Sequence, residues 1–168
     1  TDSELRLPAG SKVPVTLLAA AYLPEHPNKS LHELPYDEQP YWNVERARIG
    51  DSREVAVEIV MNGKLAASQK LLADGTPREM KFEIPIKASS WVAARIVPAA
   101  HTNPVFVIVD GKPIRASRRS AEWALKSVNQ CWTQKSPRMR PDELAEAKQA
   151  YDHAREVYRG LISASAGN

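Results

Sequence analysis

Histidine side chains are the first candidates for chemistry in this sequence, because imidazole can act as acid, base or metal ligand near neutral pH. The chain contains four of them, which are His26, His32, His101 and His153. His26 and His32 share a segment with the carboxylates of Glu25, Glu33, Asp37 and Glu38, a composition that a zinc site could use. A solvated polar loop explains the same residues. We therefore predict no metal and no cofactor for this chain.

His101 opens the segment His-Thr-Asn-Pro, which separates two apolar runs. No known hydrolase motif accompanies it, since G-x-S-x-G, H-E-x-x-H and a glycine-rich phosphate loop are all missing from the sequence. Thr102 and Asn103 can turn a chain through side-chain to backbone hydrogen bonds, and Pro104 restricts the residue before it. The segment is thus predicted to be a rigid connection between strands. The alternative is that His101 and Asn103 face another protein domain.

Aromatic residues form the third candidate site. Tyr36, Tyr41 and Trp42 lie in a proline-rich segment, residues 24–43, which we interpret as a long surface loop. Rings among acidic residues suit stacking against a sugar or binding of a peptide. Packing of the same rings onto the rest of the domain is the alternative. A free-standing enzyme that pairs His101 with a carboxylate lacks an activated nucleophile, so we predict no catalytic residue.

The overall composition is that of a globular protein. The chain has 168 residues, of which 43% are hydrophobic and 26% charged, and this argues against wholesale disorder. Its net charge of +3 is too small to indicate nucleic-acid binding. Cys131 is the single cysteine, so an internal disulfide is excluded. No stretch approaches the ~20 apolar residues of a membrane span. Because no initiating Met or signal peptide is present, we expect a piece of a longer polypeptide.

Apolar residues alternate through the first two thirds of the chain and predict strands with one buried face. These strands cover residues 12–23, 55–61, 65–71, 80–86, 91–96 and 104–109. Asn62-Gly63 and Asp110-Gly111 favour the positive φ angles of tight hairpin turns. The sequence therefore predicts a mainly β fold, an immunoglobulin-like antiparallel β-sandwich over residues 1–116.

A different periodicity begins after Ala116. Ser117 can cap a helix, and Pro141 suits the first turn of a second one. Apolar residues recur at spacings of three and four in both segments, including Ala121, Leu125, Val128, Cys131, Trp132, Leu144, Tyr151 and Tyr158. We predict a two-helix extension over residues 117–168, packed on the sandwich. Each helix has one apolar face, which must be buried by the other helix, the sandwich or a partner such as a second copy.

Residues 89–132 resemble the C-terminal part of CehA/McbA-type metallohydrolases, a family of the PHP (polymerase and histidinol phosphatase) superfamily. The pieces that carry the match are Ser90-Trp91, His101-Thr102-Asn103-Pro104, Val109-Asp110-Gly111-Lys112-Pro113, Trp123 and Cys131-Trp132. Upstream, residues 47–64 are similar to a strand and Asn-Gly hairpin of the same region. The resemblance covers most of residues 44–132.

In that family, an N-terminal metal-binding α/β barrel carries the hydrolytic chemistry, and its ligand motifs are absent from this sequence. The resemblance therefore implies a non-catalytic accessory or interaction module, whose partner is the metallohydrolase domain of the same polypeptide. It also implies an extracytoplasmic location, because family members are often predicted to be exported. A carbohydrate- or peptide-binding module that uses residues 24–43 is the alternative function.

Overall fold

The protein is described by a computed structural model that covers residues 3–35, 37–40, 42–115 and 117–165. The chain divides into two compact units, Thr1–Ile114 and Arg115–Asn168. Strands account for about 34% of the structure and helices for about 33%, so the fold is mixed rather than mainly β. The expected order is confirmed, with a β-sheet core followed by C-terminal helices.

The first unit has eight strands in its described part, and most of them follow the predicted alternation. They are β1 (Glu4–Leu7), β2 (Lys12–Ala19), β3 (Glu54–Met61), β4 (Lys64–Leu72), β5 (Arg78–Pro85), β6 (Ser90–Ile96), β7 (Ala100–His101) and β8 (Val105–Val109). A short helix α1 (Lys29–Glu33) and a 3-10 turn (Val44–Ala47) lie between β2 and β3.

These strands form two sheets over the described residues. A six-stranded sheet has the order β1-β8-β6-β3-β4, with β7 also paired to β6, and a two-stranded sheet pairs β2 with β5. Side chains of both sheets meet in one hydrophobic cluster, in which Val57 and Ile59 of β3 pack with Phe82 and Ile84 of β5. Burial of such side chains stabilises the unit by roughly 1.5–3 kcal/mol for each residue.

The large sheet is mixed, so the prediction of a purely antiparallel arrangement is wrong. β1 pairs in parallel with β8, from Glu4 opposite Phe106 to Leu7 opposite Val109. β1 was not predicted from the sequence. Four residues at a sheet edge are too few for an alternation pattern to stand out, and only Leu7 of them packs against the core.

The Asn-Gly turn is confirmed by its backbone angles. Asn62 and Gly63 have φ values of 52° and 82° and connect the antiparallel strands β3 and β4. Asp110 and Gly111 also have positive φ values. However, no described strand returns after them, so the predicted hairpin at this point is wrong. Instead, the Ser89 hydroxyl donates to the Lys112 carbonyl at 2.6 Å, which ties the segment after β8 to the start of β6.

The second unit is a helical hairpin of α2 (Arg118–Lys135) and α3 (Pro141–Ala164), separated by a 3-10 turn (Ser136–Arg138). The Ser117 cap is confirmed, because the Ser120 amide donates to the Ser117 hydroxyl at 3.1 Å. Pro141 lies in the first turn of α3, as predicted.

Half-buried side chains join the two helices. The rings of Trp132 and Tyr151 lie 5.1 Å apart, and the Arg155 guanidinium lies 5.7 Å from the Trp132 ring centre. Cys131 Sγ lies 3.1 Å from Tyr151 Oη. This contact and the partial burial of the phenol raise the pKa of Tyr151. Cys131, predicted to lie on the apolar face of its helix, is therefore half-buried beside a polar partner.

Candidate functional site

The His-Thr-Asn-Pro segment is the point at which β6 changes its neighbouring strand. Arg95 at the end of β6 pairs with His101 of β7, whereas Ser90 to Val92 at its start pair with β8. The Thr102 amide donates to the Ala94 carbonyl at 2.9 Å, and the Ala94 amide donates to Thr102 Oγ1 at 3.1 Å. His101 itself belongs to β7, so the predicted connection between strands is limited to residues 102–104, which join β7 to β8. His101 Nδ1 lies 3.1 Å from the Thr102 carbonyl oxygen.

A depression of about 540 Å³ lies beside this segment, and we call it the outer groove. It is lined by Val60, Trp91, Ala93, Ala94, Arg95, His101, Thr102, Pro104 and Phe106. Trp91 lies opposite Phe106 across the β6–β8 pair. Because Trp91, Ala93 and Arg95 alternate with the core residue Val92, they belong to the face of the sheet opposite the core. The small side chain of Ala93 leaves room between the larger ones.

Two basic residues lie at one end of the outer groove. Arg95 and His101 are cross-strand neighbours, and Arg95 Nε also lies 2.7 Å from Glu58 Oε2 on β3. None of the residues that line the groove carries a carboxylate. Since Arg95 is already paired with Glu58, the largely apolar lining is the feature that suits this surface to binding an apolar group.

The structure does not bring all predicted site residues together. His101 lines the outer groove, whereas Asn103 is exposed and is not among its lining residues. Trp42 belongs to a different part of the unit and is 68% exposed, so its ring is not part of the core. Tyr36 and Tyr41 lie outside the described residues, so their role in sugar or peptide binding stays a prediction.

A buried ion pair organises the proline-rich segment. Glu45 is only 2% exposed, and its two carboxylate oxygens lie 2.6 and 2.9 Å from Nε and Nη2 of Arg48. The same guanidinium donates to the carbonyls of Pro24 at 2.9 Å and Ser52 at 3.0 Å, while the Asn28 amide donates to the Glu45 carboxylate at 3.0 Å. The start and the end of the segment are therefore fixed to one another. Sequence reasoning missed this pair because two charged residues three positions apart look like any solvated surface pair.

Metal-binding groups do not cluster in the part of the chain that is described. There, no three His, Cys, Asp or Glu side chains are grouped so that they could hold an ion. His26 takes part in the loop through its backbone carbonyl, which accepts a long hydrogen bond of 3.4 Å from Arg48. That the chain binds no cofactor stays a prediction. No described helix is both long and apolar enough to cross a membrane.

Comparisons with known proteins give no similar protein. No protein-family model matches the sequence, and neither a curated protein nor a solved structure matches it. The resemblance to CehA/McbA-type metallohydrolases therefore stays a prediction that rests on the quoted motifs.

Proposed function

We propose that this chain is a non-catalytic accessory module of a larger, CehA/McbA-type metal-dependent hydrolase. Its first unit would be an immunoglobulin-like β-sandwich that contacts the metallohydrolase domain of the same polypeptide. The outer groove is the surface that we assign to this contact. In this proposal the chain supplies no catalytic residue and no cofactor, and His101 belongs to the contact surface.

One observation carries the proposal: motif residues from three successive segments of the chain line the outer groove together. Trp91 comes from β6, His101 from β7 and Pro104 from the segment before β8, and all three line the same depression. Phe106, which faces Trp91, is 40% exposed. An apolar depression that is rimmed by a few polar groups is typical of surfaces that bind another protein or domain.

The hydrogen bonds of the segment also favour a structural role over a catalytic one. The Thr102 hydroxyl accepts the Ala94 amide, so this oxygen is part of the strand connection. No lining residue is a cysteine or a serine, and no carboxylate lines the groove to orient His101 as a base. These features support a surface that binds a partner.

The test uses the complete polypeptide that contains this chain. Phe106→Ser and His101→Ala should weaken the contact between the domains and lower the thermal stability of the hydrolase domain. Leu65→Ala is the matched control, because Leu65 is 57% exposed and does not line the groove. Equal effects of the groove and control variants would contradict the proposed surface. Metal-dependent esterase or phosphatase turnover by this chain alone would contradict the non-catalytic role.

A second candidate function is carbohydrate or peptide binding by residues 24–43. It is favoured by the exposed Trp42 ring, which belongs to the segment that the Glu45–Arg48 pair holds in place. Trp42→Ala should abolish binding in a screen of oligosaccharides without changing the melting temperature. Trp123→Ala, which removes a ring that is 70% exposed on α2, is the control. If the intact chain retains no oligosaccharide or peptide in that screen, this candidate is wrong.

A further inference from the structure

Strand β2 has a partner on only one of its two sides in the described structure, since it pairs with β5 alone. The Ile86 amide donates to the Ser11 carbonyl at 2.9 Å, which makes these residues a hydrogen-bonded pair in the register of β2 and β5. Such pairs occur at every second position of an antiparallel ladder. The backbone groups of alternate β2 residues therefore point away from β5, and these residues are Lys12, Pro14, Thr16 and Leu18.

Among the described residues, no backbone segment other than β5 bonds to β2. The four residues with outward-pointing backbone groups also have exposed side chains, and Leu18 is 73% exposed. Pro14 has no N–H, so the part of this free edge that can accept a full ladder runs from Thr16 to Leu18. Thr16 and Leu18 each offer one donor and one acceptor there. A free edge of this kind is a template for an added strand.

A cavity of about 210 Å³ lies at the end of this free edge, and we call it the edge cavity. It is bounded by residues 17–20 on the β2 side and by Val57, residues 94–96 and residues 100–102 on the side of the large sheet. The side chains of Leu17, Val57 and Ile96 make its surface largely aliphatic. A strand added along Thr16–Leu18 would thus have a place for an aliphatic side chain next to its backbone ladder.

The charges at the edge cavity define the partner further. Arg95 and His101 line it, and none of its lining residues carries a carboxylate. Arg95 pairs through Nε with Glu58 at 2.7 Å, so a partner carboxylate would bind the same guanidinium at its other nitrogens. We propose that the free edge of β2 binds an extended segment of a partner protein, which adds as a strand at Thr16–Leu18. This segment inserts an aliphatic side chain into the edge cavity and places a neighbouring carboxylate against Arg95 and His101.

A second copy of β2 is a poor occupant of the same edge. The β2 sequence KVPVTLLA contains Lys12 and no acidic residue, so it provides no carboxylate for Arg95. If two β2 strands paired around Thr16, Pro14 of one copy would lie opposite Leu18 of the other. The Leu18 carbonyl would then have no donor. An added strand at β2 requires no catalytic domain, although Arg95 and His101 also line the outer groove.

Hydrogen exchange measured by NMR tests the free edge directly. In the chain alone, the amides of Thr16 and Leu18 should exchange rapidly, whereas those of Val15 and Leu17 should be protected by β5. Protection of all four amides in dilute protein would overturn the proposal. Protection of Thr16 and Leu18 that increases with protein concentration would also overturn it, because a second copy would then be the occupant.

A synthetic peptide tests the partner chemistry. The probe is an N-acetylated, C-amidated peptide of sequence Thr-Val-Glu-Ile-Glu-Val-Thr, with a Gln-for-Glu version and a version containing alternate prolines as controls. At about ten times its Kd, the acidic peptide should slow exchange at Thr16 and Leu18 by about tenfold, because only the unbound fraction exchanges. The proline version should have no effect. If the acidic peptide does not bind at millimolar concentration, the proposal is wrong.

Two variants of the chain distinguish what the backbone hydrogen bonds contribute to peptide binding from what the charges contribute. Thr16→Pro removes a donor on the free side and none on the β5 side, so it should abolish protection by the peptide. Since a proline could also distort β2, Arg95→Gln is the second variant. Arg95→Gln should weaken binding of the acidic peptide, and it should leave the weaker binding of the Gln peptide unchanged. Equal binding of both peptides by Arg95→Gln and by the unaltered chain would overturn the assigned charge contact.

Discussion

The two units of this protein are held together in different ways. Every buried hydrophobic residue of the described structure lies in the first unit, except for Ala121 of α2. The helices of the second unit meet through half-buried groups such as Tyr151, Trp132 and Arg155. The stability of the first unit therefore depends on a core and on buried polar contacts, whereas that of the second depends on a small number of side-chain contacts. The same type of substitution should have unequal effects in the two units.

We expect the largest loss in the free energy of unfolding when the buried ion pair is broken. Glu45→Gln keeps the size of the side chain but leaves the charge of Arg48 without its partner, and the Arg48 side chain is 1% exposed. Loss of one member of a buried pair typically costs about 3–5 kcal/mol. Urea unfolding followed by tryptophan fluorescence measures this cost. Glu83→Gln, which breaks an exposed pair with Lys12, is the control and should leave the midpoint unchanged.

A slightly smaller effect is expected from the core. Ile59 is fully buried between the two sheets, and Ile59→Ala should reduce the free energy of unfolding by about 2–5 kcal/mol, because it leaves a cavity. Leu65→Ala on the neighbouring strand should change it by no more than about 0.5 kcal/mol, because Leu65 is exposed. Similar urea midpoints for the two variants would mean that the sheets do not share this core.

Substitutions in the helical hairpin should cost less stability than those in the first unit. Trp132→Ala removes the ring contact with Tyr151 and the cation–π contact with Arg155, and we expect a loss of about 1–2 kcal/mol. Trp123→Ala on the same helix removes an exposed ring and should be nearly neutral. Thermal melting followed by the far-UV circular dichroism of the helices compares the two. If Trp123→Ala is the more damaging variant, the assigned contact between the helices is wrong.

The smallest change in stability is expected at Asp74, and it should depend on pH. A hydrogen bond from Arg78 holds the pKa of Asp74 well below its ordinary value, with a further contribution from the Thr76 amide. Because the folded-state pKa is depressed, this contact stabilises the fold above the unfolded-state value of about 4 and loses its effect as the pH falls further. Asp74→Asn should therefore lower the melting temperature slightly at neutral pH. At strongly acidic pH the variant and the unaltered chain should melt alike, and a constant difference across this range would contradict the assignment.

Local features were predictable from the sequence, because they depend on neighbouring residues. The turn at Asn62-Gly63 needs positive φ angles that Asn and Gly tolerate best, and the start of α2 needs the hydroxyl of Ser117. The alternating strands β3 to β6 were likewise readable from one segment at a time. What these elements share is that no distant residue is required to specify them.

Features that depend on strand pairing could not be predicted. The outer groove exists because Trp91 lies opposite Phe106 while Arg95 lies opposite His101, and both pairings follow from the switch of β6 between β8 and β7. The pairing of β1 with β8 also joins segments from opposite ends of the first unit. The burial of Glu45 and Arg48 depends on carbonyls of the chain before and after them, which no local pattern reveals.

The Glu45–Arg48 pair also affects how readily proteases can cleave the chain after Arg48. A proline-rich connection between strands is an ordinary target for cleavage, and a trypsin-like enzyme would recognise the peptide bond that follows Arg48. Cleavage requires several residues to leave their places, but the Arg48 side chain is enclosed and bonded to Glu45, Pro24 and Ser52. The rate of cutting at this bond would therefore follow the opening of the ion pair. Resistance to cleavage at this one bond thus depends on the integrity of a buried contact.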